Sequence, residues 1–275
     1  GNHLWHYKVT GAAVAEAFED AKRPGDRLAG ACFTSGSAGT IGCGDYLKEV
    51  YPAMKLAVGE AVQCPTILNN GFGDHRVEGI GDKHVPWIHD VKNTDMVVAV
   101  DDNDAMALLR LFNEPAGKAQ LIDAGVDPQL VEQLSLMGIS GIANVLCCIK
   151  LAKYYELTEH DVVCTVLTDS ADMYRSRLAE LTEQLGAYDA KTAAYDFALH
   201  LMGLKTDCMA ELGYYDRKRV HNLKYYTWVE QQGKTTDELD ALWYGTEWAD
   251  VHSQADALDE LIRAFNEETG VLKNL

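Results

Sequence analysis

Long apolar runs are missing from this 275-residue chain. None reaches the 18 or so residues of a helical membrane span, and Gly1 to Lys8 contains no apolar stretch of signal-peptide type. Basic residues are scarce: 24 Lys and Arg stand against 42 Asp and Glu, for a formal net charge of -18. Nucleic-acid surfaces depend on Lys and Arg meeting phosphate, and an anionic membrane makes the same demand, so neither partner is expected. Seven cysteines contain no Cys-x-x-Cys pair; an odd number scattered through apolar runs points to reduced thiols in the cytoplasm. Nine histidines include no His-Glu-x-x-His or comparable spacing, so no metal site is expected.

What is present is an ordinary globular balance, 47% hydrophobic and 24% charged residues, enough for one large domain or two small ones. The most informative stretch is Cys32-Phe33-Thr34-Ser35-Gly36-Ser37-Ala38-Gly39-Thr40. It follows an apolar run at 28–33 and opens a helix expected over 41–51. Strand, small-residue loop and helix start make a phosphate cradle: backbone N–H groups approach the anion, hydroxyls add donors, and the helix terminus is partially positive. Gly36 and Gly39 can take the positive φ that such a nest needs. A plain Gly/Ser turn is the alternative. Spacing excludes a P-loop, since no Lys follows the glycines. It also excludes a Gly-x-Ser-x-Gly nucleophile elbow and a Rossmann Gly-x-Gly-x-x-Gly.

Along the chain, helices are expected over 12–22, 41–51, 105–113, 129–134, 144–155 and 173–185, and strands over 28–33, 55–59, 96–100 and 162–167. Strands alternating with helices define α/β with a largely parallel sheet. Ligands of such sheets bind beyond the carboxyl ends of strands. The long loop at 64–84, carrying Gly71, Gly73, Gly79 and Gly81, has the character of a functional loop. From 187 onward no strand-like run is evident. Helices are expected over 188–201, 209–232, 236–243 and 254–268, with dense aromatics packed on the body or at an oligomer interface. The chain therefore divides into 1–186 and a helical extension, 187–275.

Four segments, in order, resemble the pyridoxal-phosphate enzymes of the cysteine synthase type, fold type II, the tryptophan synthase beta-like family. Ser35-Gly36-Ser37-Ala38-Gly39-Thr40 is similar to the family's Gly-Thr-Gly-Gly-Thr phosphate loop. The segment from Gly73 to Gly81 is similar to its His-Lys-Ile-x-Gly-Ile-Gly. Gly138-Ile139-Ser140 matches its Gly-Ile-Ser, and Thr168-Asp169-Ser170-Ala171-Asp172-Met173-Tyr174 is similar to Pro-Ser-Ser-Gly-Glu-Arg-Tyr. His6 with Thr10-Gly11 resembles the His-x-x-x-Thr-Gly that precedes the loop. The resemblance covers roughly residues 3–178.

It implies the large-domain fold of that family, helices on both sheet faces, and pyridoxal 5'-phosphate as cofactor. Ser35, Gly36, Ser37, Ala38, Gly39 and Thr40 would bind its phosphate, and Ser140 its pyridine nitrogen, although Ser140 alone reads equally as a helix cap. Asp169 and Ser170 would lie near the pyridine edge, and Gly79, Ile80 and Gly81 on the substrate side. A neutral hydroxyl on the ring nitrogen suits β-elimination and β-replacement on a small amino acid. The family also implies a homodimer.

Three departures stand out: Ala38 where the family has Gly, about a dozen extra residues near 115–127, and a long tail. The Schiff-base lysine and substrate-carboxylate loop of the family precede the position where this sequence starts. No catalytic residue is therefore assigned, and the chain is expected to need an upstream segment or second chain for turnover. A threonine synthase or amino-acid dehydratase relative is the second enzyme reading; a non-catalytic anion-binding module is the reading outside enzymes.

Overall fold

The computed structural model describes residues 1–34, 36 and 38–274, the last by its backbone alone. Two cradle candidates, Ser35 and Ser37, lie outside the described residues.

Among the described residues, five strands form one sheet in the order β4-β1-β2-β3-β5. They are β1 (Arg27–Thr34), β2 (Lys55–Ala61), β3 (Met96–Val100), β4 (Asp161–Thr165) and β5 (Met209–Glu211). The first four are mutually parallel. β1, β2 and β3 are largely buried, as strands covered on both faces are, whereas β4 at the edge is only half-buried.

Alternate residues feed two cores. Cys32, Met96, Val98 and Val100 pack with helices Asp102–Asn113 and Ile139–Tyr154 on one face. Ala31, Phe33, Leu56, Val58 and Val97 pack with helices Gly11–Ala21 and Gly39–Val50 on the other. The expected α/β sheet with helices on both faces is what the chain forms.

The order of the strands fixes where a ligand can go. The chain runs outward from β1 to β2 and β3, then returns to place β4 on the opposite side of β1. Adjacent connections leaving β1 and β4 therefore diverge to either side, opening a crevice at their carboxyl ends. Gly36, Ala38 and Gly39, just beyond the end of β1, lie there.

One expectation needs correction. The tail is not helical throughout, because β5 pairs antiparallel with β3, Val97 opposite Ala210. Met-Ala-Glu has little intrinsic strand character. It is recruited because β3, wholly buried, would otherwise end the sheet with unpaired N–H and C=O groups. The extra segment near 115–127 holds a helix, Pro115–Asp123. Pro115 sits at its first position, where the missing N–H costs nothing. The tail aromatics also divide: Trp243 is buried, while Tyr214, Tyr215, Tyr226 and Tyr244 are exposed. Trp228 donates its indole N–H to the Val85 carbonyl at 2.9 Å, tying the tail to the loop before β3.

Candidate functional site

The crevice holds a cavity of about 170 Å³. Gly36, Ala38, Gly39 and Thr40 line it from the cradle, and Gly79 and Ile80 from the long loop. Ser140 and Asn144 line it from helix Ile139–Tyr154, Val166 and Thr168 from the end of β4, and Asn2 and His6 from the N-terminal turns. Segments separated by more than a hundred positions thus meet around one space.

The cradle is built by close approach. A Cβ on Gly39 would stand 2.5 Å from the Asn2 amide nitrogen and 2.7 Å from a His6 ring carbon. One position earlier, Ala38 holds φ 62, a left-handed conformation costing an L-residue roughly 1–2 kcal/mol. The similar family's glycine would hold it freely; here the surrounding packing does, since Ala38 is buried. Helix Gly39–Val50 starts immediately afterwards, turning its free N–H groups and positive end toward the cavity.

Opposite the cradle, the Ser140 hydroxyl lies 3.3 Å from that of Thr168. Asn144 joins the two strand ends: its Oδ1 accepts from the Thr34 N–H at 2.9 Å, and its Nδ2 donates to the Val166 carbonyl at 2.8 Å. His6 bonds to the Thr10 hydroxyl at 2.9 Å, and burial lowers its pKa, so the imidazole beside the cradle is neutral at pH 7. The cavity wall therefore offers small neutral donors and contains no lysine among the described residues.

Not every expected residue comes to this wall. Gly81 shares the positive φ of Gly79, 84° in both, but packs against His75 instead. Asp169 folds over Gly138, and its carboxylate accepts the Tyr174 hydroxyl at 2.5 Å. Ser170 precedes the short 3-10 turn Ala171–Tyr174. None of the three lines the cavity. Conversely, the sequence reading passed over Asn144 and Asn2. The signal for Asn144 was there, an amide inside an otherwise apolar helix, and a buried amide must find partners.

Asn144→Ala is expected to orphan the Thr34 N–H and the Val166 carbonyl. Denaturant unfolding should then show a loss of about 1–3 kcal/mol. If stability and ligand titrations are both unchanged, the strand ends do not depend on this amide.

The fold and the cavity define an α/β protein with a cavity at its switch point. No family model matches the chain. Its sequence is similar to cysteine synthase 3 of Caenorhabditis elegans, 27% identical over 174 residues, which are 63% of this chain and 44% of that protein. A probable cysteine synthase of Bacillus subtilis (strain 168) is 27% identical over 172 residues, 62% of this chain and 48% of that one.

The fold is similar to that of a cysteine synthase from Entamoeba histolytica, with TM-score 0.52 and 18% identity over 72% of this chain and 53% of that chain. It is also similar to a hydrogen sulfide-producing enzyme from Fusobacterium nucleatum, TM-score 0.51 and 22% identity over 70% and 51%. In sequence and in fold the chain is thus similar to cysteine synthase-like enzymes. It spans about half the length of the relatives it matches. Among the described residues, no helix is long and apolar enough to cross a membrane.

Proposed function

We propose that this chain forms the phosphate-binding and ring-binding side of a pyridoxal 5'-phosphate site, in an enzyme that carries out β-elimination or β-replacement on a small amino acid. The observation that carries this reading is the single cavity shared by the Gly36–Thr40 cradle and the Ser140 hydroxyl. Its donor set fits the cofactor. Glycine at 39 keeps backbone within reach of a phosphate, and among the described residues no carboxylate lines the wall to repel one.

Bound pyridoxal phosphate supplies an electron sink for charge developing on the amino acid. The residues of this chain bind and orient. The amides at the start of helix Gly39–Val50, with the Thr40 hydroxyl, hold a dianion through fixed dipoles. Ser140, its hydroxyl beside that of Thr168, offers the ring nitrogen a neutral partner that leaves it largely unprotonated. Asn144 keeps the ends of β1 and β4 at a fixed separation, so cradle and Ser140 stay in register. Among the described residues the lining has no lysine, so the reading assigns no covalent anchor or proton-transferring base to this cavity wall.

Calorimetry with pyridoxal phosphate, pyridoxal and inorganic phosphate tests it. Binding is expected for the two phosphate-bearing ligands and is expected to weaken in Ser140→Ala for pyridoxal phosphate only. Borohydride reduction and peptide mapping should find no lysine labelled stoichiometrically. A single fully labelled lysine would place the anchor within this chain; absence of any phosphate-dependent binding would remove the cradle assignment.

A further inference from the structure

A second convergence lies away from the cavity. His3 comes from the short helix Asn2–Trp5, Asp45 from helix Gly39–Val50 and His252 from helix Glu247–Ser253. Their Nε2, Oδ2 and Nε2 atoms approach one another: 2.9 Å between the imidazoles, 3.6 Å from His3 to Asp45, and all three within 4.8 Å. Asp45 is fully buried, yet its Oδ2 has no hydrogen-bond partner, and neither has Nδ1 of the buried His3. A bare carboxylate oxygen in the interior is costly unless something pairs it.

The outer atoms of two of these groups are held. Asn93 donates to Asp45 Oδ1 at 2.9 Å. The Glu49 carboxylate stands 3.4 Å from His252 Nδ1, and its other oxygen accepts the Tyr7 hydroxyl at 2.6 Å. A carboxylate on Nδ1 calls for the Nδ1–H tautomer, which leaves His252 Nε2 as an acceptor. His3 then donates from Nε2, which explains its empty Nδ1. Two inward-turned imidazole nitrogens and one carboxylate oxygen, with the outer atoms of Asp45 and His252 anchored, are the ligand set of a three-protein-ligand zinc site.

We propose that His3, Asp45 and His252 bind one Zn²⁺ ion, with water as the fourth ligand. Donors around tetrahedral zinc lie about 3.3 Å apart, so the 2.9 Å and 3.6 Å separations adjust by a few tenths of an ångström. The imidazoles now face each other nearly in line, centroids 5.2 Å apart and planes within 8°. Taking the ion requires both rings to tilt, and the His3 proton moves from Nε2 to Nδ1. No proton is lost from either imidazole in that exchange. Spacing could not have shown this site, because the ligands are 42 and 249 positions from His3. The ion would clamp the tail helix to the same helix whose first turn forms the cradle.

The test is Zn²⁺ uptake by the chelator-treated chain, followed by equilibrium dialysis, with Co²⁺ as the spectroscopic probe. One equivalent of Zn²⁺, a raised melting temperature and visible bands of four-coordinate Co²⁺ without thiolate charge transfer are expected. Glu49→Gln should weaken binding about 10–100-fold, and Asp45→Asn or His252→Ala by more than that. No Zn²⁺ retained by the wild-type chain overturns the proposal. So does a thiolate band, which would put the ion on cysteine, or unchanged affinity in folded Asp45→Asn. The wild-type Co²⁺ spectrum decides the matter even where a variant does not fold.

Discussion

Gly39→Val is expected to lose pyridoxal phosphate binding while the α/β body stays folded. The first added carbon already stands 2.5 Å from Asn2 and 2.7 Å from His6, below any ordinary contact. Valine then adds two methyl groups with little rotamer freedom in a helix. The N-terminal turns must move away, or the first turn of helix Gly39–Val50 must shift, and either change separates the N–H groups from the phosphate. Charge-assisted hydrogen bonds contribute about 1.5–3 kcal/mol each, so losing one already weakens binding roughly tenfold to a hundredfold. Gly39→Ala should fall between wild type and valine. Calorimetric titration reads the affinity and circular dichroism the fold. Full-strength binding by a folded Gly39→Val chain would mean that the cofactor phosphate does not sit at this loop.

Lys224→Met should be the most destabilising single change considered. Lys224 is fully buried, and its Nζ donates to the carbonyls of Trp87 and His89 at 3.0 and 2.7 Å. Methionine fills similar space but orphans both carbonyls, at about 2–4 kcal/mol for the pair. Burial pushes the Lys224 pKa down to about 7, against the pull of Asp90 and Asp45. The sign of the linkage follows. Between pH 7 and the ordinary lysine value, 10.5, the unfolded chain holds a proton that the folded chain has released, so this group makes folding more favourable as pH rises. Below pH 7 both states are protonated and its contribution is flat. The stability difference between wild type and Lys224→Met should therefore widen above pH 7, with a limiting slope of about 1.4 kcal/mol per unit. Denaturant unfolding at pH 6, 7.5 and 9 measures it. A difference that stays flat from pH 6 to 9 would show that Lys224 stays charged in the fold.

Much of the body was legible because its signals are local. The strand at 96–100 is a run of apolar, mostly β-branched residues between polar stretches, and the structure ends it at the same residues. The residue types of a candidate phosphate nest were legible for the same reason: small residues between a strand and a helix let backbone N–H groups approach an anion. The parallel order followed from alternation, since a parallel strand needs a crossover helix. β5 was not legible, because Met209–Glu211 is a strand only by virtue of the exposed edge of β3. Nor was helix Glu247–Ser253, a short polar segment held by contacts such as Trp248 against His3.

The candidate sites divide along the same line. Sequence alone determined which residues could form a phosphate nest, because backbone freedom and hydroxyl donors belong to residue types. Only tertiary structure decided that Ser140 and Asn144 share its cavity while Asp169 packs on Gly138. It also brought His3, Asp45 and His252 together. Those outcomes depend on how helices sit across strand ends, a matter of packing between distant segments that no local pattern encodes.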